Sequence, residues 1–176
     1  MNATDENAGE ERSPAEYAAH PRFAEALRES GLDEVIGRVR RFPDPTRTAA
    51  EAAAAIGCEL SQICTSLFFA ADGAPVLVLL DGSAQVDMEL VQRELGAEKI
   101  TRAGAHLVRE STGYATGAVP PFGHRTKIRV LVDRSLLDHG TVWTSAGTPY
   151  TIFPMDPKSL IAHAGGTLVD VRETIA

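Results

Sequence analysis

The sequence predicts an α+β fold built on a curved, mostly antiparallel sheet surrounded by helices. Three observations lead there. Helix-type and strand-type segments are mixed along the chain without the strict alternation of a parallel α/β sheet. The runs "QICTSLFFA" and "APVLVLLD" flank Ala71-Asp72-Gly73, a hairpin turn signal that joins neighbouring strands antiparallel. The run "GTVWTSAGTPYTIFP" has the same form, two strand-like pieces around Gly147.

The elements follow in order. Residues 1–13 are acidic and polar with no apolar period, and read as a disordered leader ahead of a single domain over 14–176. Ser13-Pro14 is a helix start, Pro21 interrupts that helix, and a second piece runs from Arg22 to Ser30 before Gly31. An extended piece, Gly37 to Phe42, leads into the "PDPTR" turn. Thr48-Ala49-Ala50-Glu51 has capping-box spacing, and the alanine run after it carries a helix to Gly57. After the hairpin, Asp87 caps a helix with Met88, Val91 and Leu95 on one face, ending at Gly96. A short strand near Lys99-Ile100-Thr101 and a helix from Ala105 to Glu110 follow. Beyond a Gly/Pro-rich loop, "KIRVLVD" is a strand, Ser135 to His139 a helical turn, Asp156-Pro157 a helix start, and "TLVDV" a closing strand.

Composition narrows the function. With 176 residues, 44% hydrophobic and 23% charged, the chain has the balance of one globular domain. Its longest aliphatic run, Val76 to Leu80, is too short to span a bilayer, and the acidic start does not fit a secretory signal. A cytoplasmic protein with no membrane partner is expected. Cys58 and Cys64 read as free thiols there. A formal charge of −7 opposes a broad phosphate-binding face and makes DNA an unexpected partner, so any nucleic acid must be met at a local basic patch.

Most chemical motifs are absent. The five histidines are scattered, with no pair at i, i+4 and no C-x-x-C, so neither a metal nor a cofactor is expected. "GAVPPFGHRT" has the wrong glycine spacing for a phosphate cradle, and its prolines remove needed N–H donors. Asp133 follows a strand and precedes Ser135, the position of a helix cap rather than of a catalytic acid. Cys64 has no neighbouring base to activate it as a nucleophile. What remains is "STGYATGAVPPFGH", with three glycines and two prolines. Glycine lets backbone N–H groups approach a ligand and proline freezes the path, so such a loop can stabilise an oxyanion; it can equally be a plain surface turn.

That loop resembles the signature loop of the YbaK/ProX family of aminoacyl-tRNA-editing domains, which includes the insertion domain of bacterial prolyl-tRNA synthetases. The family motif G-x-x-x-P is matched by Gly117-Ala118-Val119-Pro120-Pro121. "AEAAAAIG" resembles the family's first core helix, and "KIRVLVD" the strand after the loop. Similarity extends from about Leu32 to Val171. The resemblance implies a sheet curled into a barrel-like core and trans-editing, the hydrolysis of the ester between a wrong amino acid and its tRNA. It implies that the ester carbonyl is bound by backbone donors at Gly117, while water attacks with help from the substrate's own ribose hydroxyl.

The same resemblance implies the other contacts. Ala118, Pro121, Phe122, Gly123 and His124 shape the substrate loop, and Ser145 and Gly147 line the same cleft. The partner is a mischarged tRNA, engaged at its aminoacyl-adenosine end, with an aminoacyl-tRNA synthetase as a further partner. A family strand of the type V/I-x-K-S/T-L aligns with Ile63 to Leu67 and sets Thr65 where the lysine stands. A hydroxyl cannot replace an ammonium. Either a nearby cation (Arg47, Arg125 or Lys127) substitutes, or the contact set differs, or the protein is a non-catalytic module binding an aminoacyl-nucleotide end, a small ligand or a synthetase.

Overall fold

In the computed structural model of the protein, residues 18–46 and 48–174 are described. The leader over 1–13, the helix start at Ser13-Pro14 and Arg47 lie outside them. Helix α1 (Pro21–Glu29) starts at Pro21, whose fixed φ and missing N–H suit the first helical position. Proline therefore opens the second helical piece, expected from Arg22, after a break at Ala19-His20, and the Arg22 N–H donates to His20 Nδ1 at 3.1 Å as its cap. A single helical turn, α2 (Asp33–Ile36), and a two-residue strand, β1 (Arg40–Arg41), follow.

Helix α3 (Ala49–Ile56) is held at both ends as the sequence suggests. The Glu51 N–H donates to Thr48 Oγ1 at 3.1 Å, and Gly57 closes the helix in the left-handed region. Strands β2 (Cys64–Ala71) and β3 (Ala74–Asp81) form the hairpin, with Asp72 and Gly73 both at positive φ. Then come α4 (Met88–Leu95), capped by Asp87, β4 (Ile100–Arg102), α5 (Ala105–Thr112) and β5 (Arg129–Asp133). A 3₁₀ turn (Arg134–Asp138), β6 (Val142–Ser145), β7 (Thr151–Met155), α6 (Pro157–Ala164) and β8 (Thr167–Val169) complete the order.

The strands form two sheets. The larger runs β4-β2-β3-β5-β8 and the smaller β1-β7-β6. Antiparallel pairs predominate, while β3–β5 and β5–β8 are parallel, so the fold is mixed α+β as expected. Among the described residues the strands do not close into the expected barrel: β4 and β8 are the edges of one sheet, β1 and β6 of the other. Among the described residues one parallel bridge, Ile63 to Trp143, links the sheets. One bridge cannot close a hydrogen-bonded ring.

Both faces of the larger sheet are buried, which explains the near-continuous apolar run of β3. Leu77 and Leu79 face a core with Phe23, Leu27, Val132 and Phe153, while Val76 and Val78 face a second core with Val91 and Leu131. Each such side chain contributes about 1.5–3 kcal/mol. A third, smaller cluster packs Ala52 and Ala53 of α3 on Ile63 and Ile152, beneath the junction of the two sheets. The buried carboxylate of Asp133 accepts from the N–H groups of Ser135 (3.0 Å) and Val171 (2.9 Å), so it caps and staples rather than reacts.

Candidate functional site

A cavity of about 230 Å³ opens where the two sheets meet. The start of β2, the beginning of α3, the 113–123 loop and the β6–β7 hairpin supply its walls. Its lining combines apolar side chains (Ala52, Ile63, Val119, Trp143) with many hydroxyls. Among the described residues that line it there is no Asp, Glu, His, Lys or Arg. The one titratable side chain among those described lining residues is Cys64, whose thiol burial pushes up to about 12. A thiol at that value offers no thiolate near neutrality, so it is not a nucleophile.

Most of the hydroxyls are already engaged. Thr65 Oγ1 donates to the Leu80 carbonyl across the hairpin at 2.8 Å, leaving only its lone pairs toward the cavity. Ser145 Oγ accepts from the Gly147 N–H at 3.1 Å, and Thr148 and Thr151 pair with each other at 2.7 Å. Thr144 differs: its hydroxyl is buried without a hydrogen-bond partner. The Cys64 thiol lies beside it, a weak partner outside hydrogen-bond geometry. An orphan hydroxyl costs about 1–3 kcal/mol. Thr144→Val keeps the shape and removes the orphan, so a gain of about 1 kcal/mol is expected in urea unfolding. A clear loss of stability would mean that the hydroxyl is already satisfied in the free protein.

Gly117 has φ 83° and lines the cavity, with nothing within 4 Å of a side chain built on it. Its amide hydrogen bonds to no group among the described residues. The loop around it is fixed from behind. Tyr114 Oη donates to the Gly123 carbonyl at 2.9 Å, and His124 Nε2 lies 2.7 Å from the Pro120 carbonyl, so that nitrogen carries the proton. Burial holds the His124 imidazole below its ordinary pKa, against the opposite pull of the Pro120 carbonyl.

Thr65, Gly117 and Ser145, named from the sequence, thus share one cavity. Ala118, Pro121 and Phe122 do not line it, because they turn inward; Phe122 packs between Phe23 and Phe153. Gly123 and His124 line a separate groove beside Pro21 and Glu25. Gly147 lies against His20 and Tyr114 rather than in the cavity. Arg47 is outside the described residues, though its neighbours Thr46 and Thr48 are on the wall. Arg125 and Lys127 do not line it either. Trp143, Thr144 and Thr148 were not anticipated. Only the neighbouring Ser145 hinted at them, and no local pattern sets Trp143 opposite Ile63.

The chain is similar to known proteins over most of its length. The chain is 32% identical over 123 residues to the uncharacterized protein YwhH of Bacillus subtilis (strain 168), covering 69% of this chain and 78% of that protein. It is 30% identical over 126 residues to the proline–tRNA ligase of Geobacter sp. (strain M21), covering 70% of this chain and 22% of the ligase. The chain therefore spans about a fifth of that synthetase's length. Its fold matches a crystal structure provisionally assigned as a trans-editing enzyme for prolyl tRNA synthetase, with TM-score 0.82, 36% identity, and coverage of 93% of this chain and 100% of that one. A family model described as the aminoacyl-tRNA editing domain matches residues 43–162, more than half of the sequence and every wall of the cavity. The chain belongs to the aminoacyl-tRNA editing domain family.

Proposed function

We propose that the protein acts in trans as an aminoacyl-tRNA deacylase in the cytoplasm, with residues 14–176 working as one unit. The observation that carries this reading is the cavity itself: an unpaired backbone amide at Gly117 among hydroxyls, with no charged side chain on its described walls. An ester carbonyl needs a donor for the oxygen that becomes anionic, and a preformed amide in a largely apolar cleft supplies it. Among the described residues that line the cavity there is no base to activate water. The substrate's ribose hydroxyl therefore orients the attacking water. The acyl C–O bond breaks, the ribose oxygen takes up a proton, and the free amino acid leaves. Thr65 and Ser145 position the aminoacyl end, and Ala118 with Pro121 to His124 keeps the loop on its path.

A second reading rests on Thr65. The resemblance sets a lysine there, and a hydroxyl bonded to Leu80 is a weaker hold on ribose or phosphate. On that reading the protein binds an aminoacyl-nucleotide end, or a synthetase carrying one, without hydrolysis. The two are separated by incubating the purified protein with a panel of mischarged tRNAs and following amino-acid release. For at least one pair, release about 100-fold above the spontaneous rate is expected, the worth of one well-aimed donor. Release at the spontaneous rate across the panel would favour the binding module.

A further inference from the structure

The segment "RVRRFPDPTR", residues 38–47, holds four arginines against one aspartate in a chain whose net charge is −7. Arg38, Arg40 and Arg41 are exposed, and none has a carboxylate partner among the described residues. Two of them lie instead on aromatic faces. The Arg40 guanidinium carbon is 5.3 Å from the ring centre of Phe42 and 5.8 Å from that of Trp143. The Arg41 guanidinium carbon is 5.8 Å from the ring centre of Tyr150. Trp143 is a wall of the cavity, and Tyr150, 37% exposed, follows the wall residue Pro149. The cationic strip thus reaches the cavity wall at Trp143, and Tyr150 stands one residue beyond the wall.

This arrangement selects a partner chemistry. Guanidiniums stacked on rings keep their N–H edges free for phosphate oxygens, and stacking fixes their orientation. A half-exposed tyrosine ring next to them is a stacking platform for a base. With a net charge of −7, a polyanion must be met at a local basic patch of this kind. We propose that Arg40 and Arg41, with Tyr150, form a strip that receives the single-stranded 3′ end of an RNA, its phosphates on the guanidiniums and a base on the tyrosine. It rests on the editing reading for its biological ligand, and its cations stand outside the cavity wall on which Thr65 lies.

The test uses fluorescence anisotropy with a labelled single-stranded RNA ending in CCA, and a duplex RNA of equal length as comparison. Arg40→Ala/Arg41→Ala is expected to weaken single-strand binding about tenfold at low salt and to flatten the plot of log K against log salt by about 1.4, at 0.7 per lost phosphate contact. Tyr150→Ala is expected to cost about tenfold with the slope unchanged, because stacking releases no counterion. Arg40→Lys should keep the slope. All three residues are at least partly exposed, so the variants are expected to fold. Equal affinity of parent and double variant, equal affinity for duplex RNA, or no binding by the parent overturns the strip. A parent that deacylates while its double variant binds RNA like the parent keeps the editing reading and overturns the strip. A parent that binds as described but releases no amino acid does the reverse.

Discussion

Gly117→Ala is expected to lower the turnover of a responsive mischarged tRNA by about 100-fold while leaving its KM within about threefold, because the lost donor acts on charge that develops in the transition state. The substitution keeps the amide and changes only where it points. At φ 83° an alanine strains by about 1–2 kcal/mol and relieves the strain by rotating the peptide. Nothing lies within 4 Å of the new methyl group, so no clash adds to the effect. The loop on either side is held by the Tyr114–Gly123 and His124–Pro120 hydrogen bonds, which confines the rotation to the motif. Thermal unfolding should therefore move little while kcat falls, and that separation is the diagnostic. A variant that keeps parental kcat would remove Gly117 from the proposed chemistry, whatever its effect on binding.

The contrast between what sequence disclosed and what it hid follows the range of the interactions. Helix ends were legible because their orphan groups are satisfied within a few residues: Thr48 and Gly57 for α3, Asp87 and Gly96 for α4, Asp156 and Gly165 for α6. The β2–β3 hairpin was legible for the same reason, through Asp72-Gly73. The way the two sheets meet was not, because it depends on a pairing between Ile63 and Trp143, eighty positions apart. Within the candidate site the loop was visible as a motif, yet the motif does not say which side chains turn inward. Phe122 is drawn into the core by Phe23 and Phe153, residues of other elements. Arg40 was hidden differently. Averaging charge over the whole chain concealed a basic run, and its stacking on Trp143 bridges two strands that share no local signal.

Gly147→Ala is expected to destabilise the protein by about 2–5 kcal/mol, far more than its place in a hairpin turn suggests. A methyl group there would sit 2.5 Å from His20 Cβ and 3.0 Å from Tyr114 Cε1, with φ at 98°. The left-handed backbone costs about 1–2 kcal/mol and forced packing about 1–3 kcal/mol. Neither neighbour yields easily. The His20 N–H donates to the Ala146 carbonyl at 3.0 Å while its ring caps α1, and Tyr114 is 1% exposed with its hydroxyl bonded to Gly123. Relief must come from the hairpin itself, which carries Ser145 and Thr148 on the cavity wall. Activity at a permissive temperature should then fall with stability, although Gly147 does not touch the cavity. Gly165→Ala is the control: φ is also positive, at 63°, but nothing lies within 4 Å, so only the backbone cost of about 1–2 kcal/mol applies. Urea midpoints reduced equally in both variants would show that close packing at Gly147 is not what holds α1, the motif loop and the β6–β7 hairpin together.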